Sequence, residues 1–281
     1  MTADLIRIHG PQRAAVPVVL DSPHSGFALC ADFGTAAREF DRCDGEDCFV
    51  DESNLPATAL GGPLPAAQFA RRYLDANRDC GDSGRDPLKG GHGPHRHQPS
   101  GKARLGQTPV WRPLGDGRPI SPRKLAVAEA RARIERRPAP YRGAPLRPLD
   151  DAPARVVRVA HLNCHSMAAV GKAQSDDRAG AARAGVVLGD RDGTGCDPVS
   201  RRSAADTLTA MGYWVEVNDP YTSVALVRAH SAPARGRYRP PVEIDKRRDM
   251  DEATGAQHAS FCVLQSNLTP RVAAVAEYRA R

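Results

Sequence analysis

Long apolar stretches are missing from this 281-residue sequence, and none of its apolar runs approaches the roughly 18 residues that cross a membrane. The opening segment, MTADLIRIHG, also lacks the long apolar core of a signal peptide. The 7 cysteines are odd in number and include no CxxC pair, so nothing indicates a disulfide framework. We therefore expect a cytoplasmic protein that has no membrane partner.

Aromatic residues and lysine are also scarce. Aromatics make up 5% of the chain, no stacking motif of the RNP type is present, and the arginines are dispersed, which argues against nucleic acid as a partner. Lysine occurs 5 times among 40 basic residues, so 35 are arginine, an excess that we attribute mostly to codon usage in a GC-rich genome. The net charge of +7 still favours anionic ligands, and a basic nucleic-acid-binding protein is the non-enzyme alternative.

Short apolar runs rich in β-branched residues alternate with helix-like stretches. Such runs are typical of buried strands, and they lie at residues 18–20, 156–162, 186–188, 214–217 and 242–244. Helices are predicted over 122–137 and 201–211, and a last one that begins at Thr269 and Pro270. The alternation predicts a single α/β domain with a central mixed, mostly parallel sheet flanked by helices. Residues 79–119, crowded with Gly, Pro, His and Arg, are predicted to form a long loop.

Two histidines follow predicted strands. His24 lies in DSPHSG after the first apolar run, and His165 lies in NCHSM after the run at 156–162. Ligands of open α/β sheets bind beyond the carboxyl ends of the strands, so both loops are expected to reach one site. Neutral imidazole is the commonest metal ligand, and a catalytic zinc ion takes three protein ligands. The pair therefore predicts a metal site that needs a third ligand.

A dense acidic stretch at residues 41–52 is a source for that ligand. Phe49 and Val50 lie inside it, which indicates that part of the stretch packs inward. Carboxylates beside buried apolar groups cost free energy unless they are paired or bound to a metal. A solvent-exposed acidic helix face explains the same residues equally well.

Two further segments carry candidate functional groups. Residues 73–76 are predicted as a short strand that ends in Asn77 and Arg78, which are donors suited to a substrate carboxylate, although a surface turn is the other interpretation. Glu243 lies between Val242 and Ile244 in a predicted strand. If it points into a site, burial raises its pKa toward the range of general acid–base catalysis, whereas simple alternation would place it on a half-exposed strand.

Seven motifs together resemble one family. In chain order, over roughly residues 15–255, they are DSPHSG, EDCFVDE, YLDANRD, NCHSM, VVLGDRDGTGC, NDPY and EIDKRRDMDE. This order is similar to that of the N-formylglutamate amidohydrolases, a branch of the zinc carboxypeptidase and aspartoacylase group with a phosphorylase/hydrolase-like α/β fold. The resemblance implies one Zn²⁺ ion per chain and a small anionic N-acyl amino acid as substrate. It implies metal ligation by His24, His165 and Asp47 (with Glu46 as the alternative to Asp47), a general base at Glu243, and substrate binding by Asn77, Arg78, Arg191 and Arg71.

The activity implied is hydrolysis of N-formyl-L-glutamate, or another small N-acyl derivative of an acidic amino acid, as a step of histidine catabolism. The chain departs from the family pattern at residues 140–142, 222–224 and 245–246, positions that the resemblance associates with the substrate or its loop. A deacylase or peptidase of the same fold, acting on another N-acyl amino acid or a small peptide, is therefore the alternative function.

Two other sites can be read from the sequence. Ser25 and Ser166 each follow a histidine, as a serine hydrolase would allow, but no Gly-x-Ser-x-Gly elbow is present. A separate metal site could form from residues of the predicted loop, but their spacing matches no zinc module and favours a surface loop or a lid over the site. These residues are Cys80, His92, His95 and His97.

Overall fold

The computed structural model describes residues 6–14, 16–35, 45–79, 82, 88–89, 101–111, 113–114, 116–136, 141, 159–173, 175, 177–196, 198–222, 237–238 and 241–280. The strands in these residues are β1 (Ile6–His9), β2 (Val18–Asp21), β3 (Leu64–Ala67), β4 (Leu88–Lys89), β5 (Leu125–Ala126), β6 (Val159–Met167), β7 (Val186–Leu188), β8 (Val215–Val217), β9 (Arg237–Tyr238) and β10 (Pro241–Asp245). The α-helices are α1 (Val50–Asn54), α2 (Gly101–Arg104), α3 (Val127–Arg136), α4 (Pro198–Ala210) and α5 (Phe261–Ala280). Two 3₁₀ helices cover Leu55–Leu60 and Lys246–Arg248.

A six-stranded sheet in the order β2-β6-β10-β7-β8, with β9 paired to β6, forms the centre of the molecule. Its strand pairs are parallel except for the antiparallel pair of β10 and β7. Two smaller sheets pair β1 with β3 and β4 with β5. The predicted fold class, a single α/β domain with a mixed and mostly parallel central sheet, is therefore confirmed.

The two faces of the central sheet differ in polarity because successive side chains of a strand point to opposite faces. In β6, Ala160, Leu162 and Cys164 join an apolar cluster, whereas residues 161, 163 and 165 are the polar His, Asn and His. In β10, Val242 and Ile244 are buried in the core and Glu243 lies between them. The sheet therefore has one apolar face and one face that presents buried polar groups.

Helix α5 covers the apolar face. Its Leu264 and Leu268 pack in the cluster of β7 and β10, and its Val272 and Val275 pack in the cluster of β2 and β6. On the other side, the segment after β3 forms its own cluster around Phe69 with Tyr73, Leu74, Trp111, Ile120 and Tyr141. The buried polar groups of the sheet lie between the sheet and this second cluster.

Three sequence predictions of local structure are wrong. Residues 73–76 are not a strand. They connect a turn, in which the Tyr73 and Leu74 N–H groups donate to the Ala70 carbonyl at 3.0 and 3.2 Å, to a second turn that begins at Ala76. Strand β6 continues to Met167, so His165 lies within the strand and not in a loop after it; parallel pairing with β10 satisfies the backbone there. The last helix begins at Phe261, with Pro270 inside it. Apolar residues on both sides of Pro270 are buried in the core, although an interior proline costs a helix roughly 3 kcal/mol.

The predicted loop at 79–119 lies partly outside the described residues, and its described parts include only a two-residue strand and the four-residue α2. Cys80, His92, His95 and His97 are outside the described residues. Within the residues described, we find no helix that is both long and apolar enough to cross a bilayer.

Candidate metal centre and active site

Three buried side chains from separate parts of the chain meet at one point. His24 lies on the loop after β2, Asp47 lies just before α1, and His165 lies in β6. The two Nδ1 atoms are 3.1 Å apart, and Asp47 Oδ2 is 3.1 Å from His24 Nδ1 and 2.8 Å from His165 Nδ1. The Asp47 N–H donates to the His24 carbonyl at 2.9 Å, which fixes the two loops to each other.

The other ring nitrogens of these histidines each have an acceptor within hydrogen-bond distance, and His165 Nε2 also lies 2.7 Å from Asn77 Nδ2. His24 Nε2 lies 2.8 Å from Asp75 Oδ1, and His165 Nε2 lies 2.6 Å from Asn163 Oδ1. Asn163 is oriented by Asp21, because its Nδ2 donates to Asp21 Oδ1 at 2.8 Å. In the tautomers that donate from Nε2 to Asp75 and Asn163, both Nδ1 lone pairs point at the carboxylate of Asp47.

In these tautomers the three side chains present three acceptors to one point, an arrangement that fits a metal cation. Two imidazole nitrogens and one carboxylate oxygen form the ligand set of many catalytic zinc sites, and ligands of a tetrahedral zinc lie about 3.4 Å apart. Acceptors behind the histidines, here Asp75 and Asn163, are the usual outer partners of such sites. The group of His24, Asp47 and His165 can therefore hold a metal ion.

Asp75 connects His24 of the metal group to Arg71, Trp111 and Asn77. Besides His24, its carboxylate accepts from Arg71 Nε at 2.9 Å, from Trp111 Nε1 at 3.0 Å and from the Asn77 N–H at 2.8 Å. Burial alone would raise the pKa of Asp75, but His24, Arg71 and Arg78 outweigh it and hold that pKa well below its usual range. Asp75 is therefore an ionised anchor for several groups of the site.

Glu243 lies beside the metal group. In the parallel pair of β10 and β6 it is the register partner of His165, and it is only 7% exposed. Burial raises its pKa, and the nearby His165 opposes the shift. A carboxylate with a raised pKa is a stronger base than an exposed one, which suits proton transfer.

A cavity of about 110 Å³ opens at this point and is lined by Asp47, His165 and Glu243. Six cationic side chains line the same cavity: Arg71, Arg78, Lys102, Lys172, Arg183 and Lys246. Its size suits a small molecule, and its charge favours an anionic one.

The predicted substrate residues divide between the cavity and its surroundings. Arg78 lines the cavity, 3.5 Å from Asp75 Oδ2 and 3.5 Å from Gln107 Oε1. Arg71 lines it too, and its Nη1 lies 3.5 Å from Asp47 Oδ1. Asn77 lies beneath the metal group, where its Nδ2 is 3.1 Å from Asn163 Oδ1 and 2.7 Å from His165 Nε2. Arg191 is not among the described residues that line the cavity.

Glu46, the alternative ligand, points away from the histidines. Its Oε1 accepts from Arg72 Nε at 2.9 Å, and its backbone carbonyl accepts from Lys246 Nζ at 2.6 Å. Adjacent residues thus direct their carboxylates to different partners, and the structure brings Asp47 to the histidines.

The predicted serine alternative gains no support from the local contacts. Ser25 Oγ accepts from the Asp51 N–H at 3.0 Å and pairs with the Ser22 hydroxyl. Ser166 Oγ has no hydrogen-bond partner among the described residues, and the His165 nitrogens face Asp47 and Asn163. Neither arrangement is a serine–histidine pair.

Several residues of the site were not predicted. Asp75 lies in the quoted motif YLDANRD, and Asn163 precedes His165 by two residues on the same strand face, so both carried a local signal. Tyr221 likewise lies in the quoted motif NDPY. The others reach the cavity from remote segments and carried no such signal: Lys102, Trp111 and Arg183.

Comparisons with known proteins agree with this arrangement. The family model of N-formylglutamate amidohydrolase matches residues 16–250. The structure is similar to the crystal structure of N-formylglutamate amidohydrolase from Ralstonia eutropha, with a TM-score of 0.92, 36% identity and coverage of 99% of both chains. A gene product of Agrobacterium tumefaciens, 14% identical over 99% of this chain and 97% of its own, has the same fold with a TM-score of 0.72. No curated protein gives a significant match.

The family match covers most of the chain. It contains the first six motifs of the predicted resemblance and the seventh motif as far as residue 250. Family and structural neighbour both indicate a hydrolase that acts on an amide bond. The chain belongs to the N-formylglutamate amidohydrolase family.

Proposed function

We propose that this protein is a zinc-dependent amidohydrolase that removes the N-formyl group of an acidic amino acid such as N-formyl-L-glutamate, releasing formate and glutamate. The observation that carries the proposal is the convergence of three buried acceptors beside Glu243, in a small cavity lined by cations. The name of the Ralstonia eutropha relative supports the same substrate.

His24, Asp47 and His165 would hold the zinc ion. Zinc bound there supplies Lewis-acid chemistry, which polarises a substrate carbonyl and lowers the pKa of water to about 7. Asp75 and Asn163 would keep both Nδ1 atoms unprotonated and directed at the ion. Arg71 lies close enough to Asp47 to help keep that carboxylate ionised.

Glu243 is the proposed proton carrier. Its raised pKa makes it a stronger base than an exposed glutamate, so it takes a proton from the attacking water. It then gives this proton to the departing amine nitrogen, which leaves as the free amino acid. The proton that Glu243 accepts in the first half of the reaction is the one that it donates in the second.

Arg78 is the proposed partner of a substrate carboxylate. Its ion pair with Asp75 places it next to the residue that orients His24, so an anion held by Arg78 brings its acyl group to the metal ligands. Positioning of this kind lowers the entropic part of the barrier. Asn77, whose amide contacts Asn163 and His165, would stabilise the ligand side chains from below.

The proposed reaction belongs to histidine catabolism in the cytoplasm, with a small anionic substrate as the partner and neither nucleic acid nor membrane involved. Metal analysis combined with amine release from a panel of N-formyl and N-acetyl amino acids tests the proposal. We expect about one zinc per chain, loss of activity on chelation, and fastest release from N-formyl-L-glutamate. A preference for N-acetyl substrates or small peptides would favour the alternative deacylase or peptidase. Full activity in the chelated, metal-free protein would contradict the proposal.

A further inference from the structure

The cavity contains a second cationic group that the reaction described above does not use. It consists of Lys102 in α2 and Arg183 before β7, both of which line the cavity together with Tyr221. We propose that Lys102 and Arg183, organised around Tyr221, bind the side-chain carboxylate of the acidic substrate, while Arg78 binds its α-carboxylate. This inference rests on the proposed function.

Tyr221 brings the two cations together. Lys102 Nζ lies 4.9 Å from the centre of the tyrosine ring, and Arg183 Cζ lies 5.3 Å from it. Cations are attracted to the face of an aromatic ring at these distances, so one ring positions both charges. The two cations come from segments 81 residues apart in the sequence, and the tyrosine supplies the common contact.

Arg183 is held rigidly and still has donors to offer. Its Nε and Nη2 donate to the two oxygens of Asp177 at 2.8 and 2.6 Å, and its Nη1 donates to the Ala168 carbonyl at 3.0 Å. A guanidinium carries five N–H groups, so two remain after these three bonds. Because Asp177 offsets much of the charge of Arg183, Lys102 supplies the additional positive charge that an anion needs.

The two cationic groups are anchored to different parts of the site. Arg78 is joined to His24 through Asp75, directly beside the metal group. Arg183 contacts the carbonyl of Ala168, which follows the end of β6 and lies three residues after His165 in the sequence. A molecule with one anionic group near the reacting amide and a second one farther away can satisfy both groups. An N-acyl dicarboxylic amino acid has this distribution of charge.

Paired substrates test this assignment within one active site. N-formyl-L-glutamine has nearly the shape of N-formyl-L-glutamate but lacks the side-chain charge, so the ratio of the two kcat/KM values reports the second subsite. In the unmodified protein we expect N-formyl-L-glutamate to be preferred at least 10-fold. In Lys102→Met we expect its kcat/KM to fall about 10- to 100-fold, mainly through KM, with less than a 3-fold change for N-formyl-L-glutamine.

Two further variants complete the test. Lys102→Arg keeps the charge and should retain most of the preference. Arg104→Met removes an exposed cation from the same short helix and should leave the ratio unchanged. Equal losses for both substrates in Lys102→Met, or an unmodified protein that does not distinguish them, would overturn the second subsite and leave the proposed function standing. An unmodified, zinc-loaded protein that hydrolyses neither substrate would overturn both.

Discussion

His24 and His165 face each other through their Nδ1 atoms at 3.1 Å, while the opposite nitrogen of each ring lies within hydrogen-bond distance of an acceptor. With the Nε2 atoms protonated, two lone pairs point at each other across a gap too short for two such acceptors alone. The Asp47 carboxylate adds negative charge at the same point. A cation relieves this repulsion, which gives a physical reason for the three side chains to lie so close together in a buried site.

Replacement of Asp47 and Glu46, one at a time, by the corresponding amide should show which carboxylate binds the metal. We expect Asp47→Asn to lose stoichiometric zinc because it removes the anionic ligand atom. Glu46→Gln should keep about one zinc per chain, since Glu46 pairs with Arg72 instead. Metal content of the purified variants, measured by atomic emission after dialysis, decides between them. Zinc retained by Asp47→Asn and lost by Glu46→Gln would contradict the ligand assignment.

Removal of the charge at Glu243 should abolish turnover without loss of the metal. We expect Glu243→Gln to reduce kcat by about 10²- to 10⁴-fold, because the amide cannot take the proton from water. Zinc content should stay near one per chain, since Glu243 lies outside the ligand group. Near-normal kcat in this variant would show that another group acts as the base.

Asp75, which contacts His24 Nε2, should control the affinity of the site for the metal. Asp75→Asn keeps the size of the side chain but weakens the orientation of His24, so we expect about 10- to 100-fold weaker zinc binding. Competition with a zinc chelator measures this affinity, and Asp116→Asn, an exposed carboxylate, serves as the control. Unchanged zinc affinity in Asp75→Asn would mean that His24 does not depend on this contact. Circular dichroism of both variants checks that the fold is intact.

The central sheet and the metal group could be predicted from the sequence because the residues that indicate them lie in or next to short apolar runs. Val18, Val186 and Ile244 lie in short β-branched runs, and His24 and His165 come directly after or within such runs. The residues 73–76 were misread because the apolar side chains of a buried turn resemble those of a strand. In this turn Tyr73 and Leu74 are buried by contacts with distant residues, which no local pattern records.

The second cationic group, Lys102 and Arg183, could not be predicted for a different physical reason. Lys102 and Arg183 reach the cavity through tertiary contacts, and in a chain with 35 arginines a single arginine carries no signal of its own. The choice between Glu46 and Asp47 likewise depends on side-chain direction. Arg72 draws one carboxylate away, while the other meets the histidines.

Asp249 should make the stability of the protein depend on pH. Its carboxylate is buried, and neither oxygen has a hydrogen-bond partner among the described residues. Burial raises its pKa from 3.8 to about 8, with Asp47 and Asp245 adding to the shift and Lys246 opposing it. The folded protein therefore holds a proton that the unfolded chain releases, so the free energy of unfolding falls as the pH rises from about 4 to about 8.

Asp249→Asn removes this dependence because the amide stays neutral at every pH. We expect the variant to be as stable as the unmodified protein near pH 4 and more stable near pH 8, by up to about 5 kcal/mol. Urea unfolding at several pH values between these limits, with the metal chelated throughout, measures the difference. The same series on Asp116→Asn should show no such divergence, because Asp116 is exposed. Parallel pH profiles for Asp249→Asn and the unmodified protein would mean that Asp249 is already ionised in the fold at neutral pH.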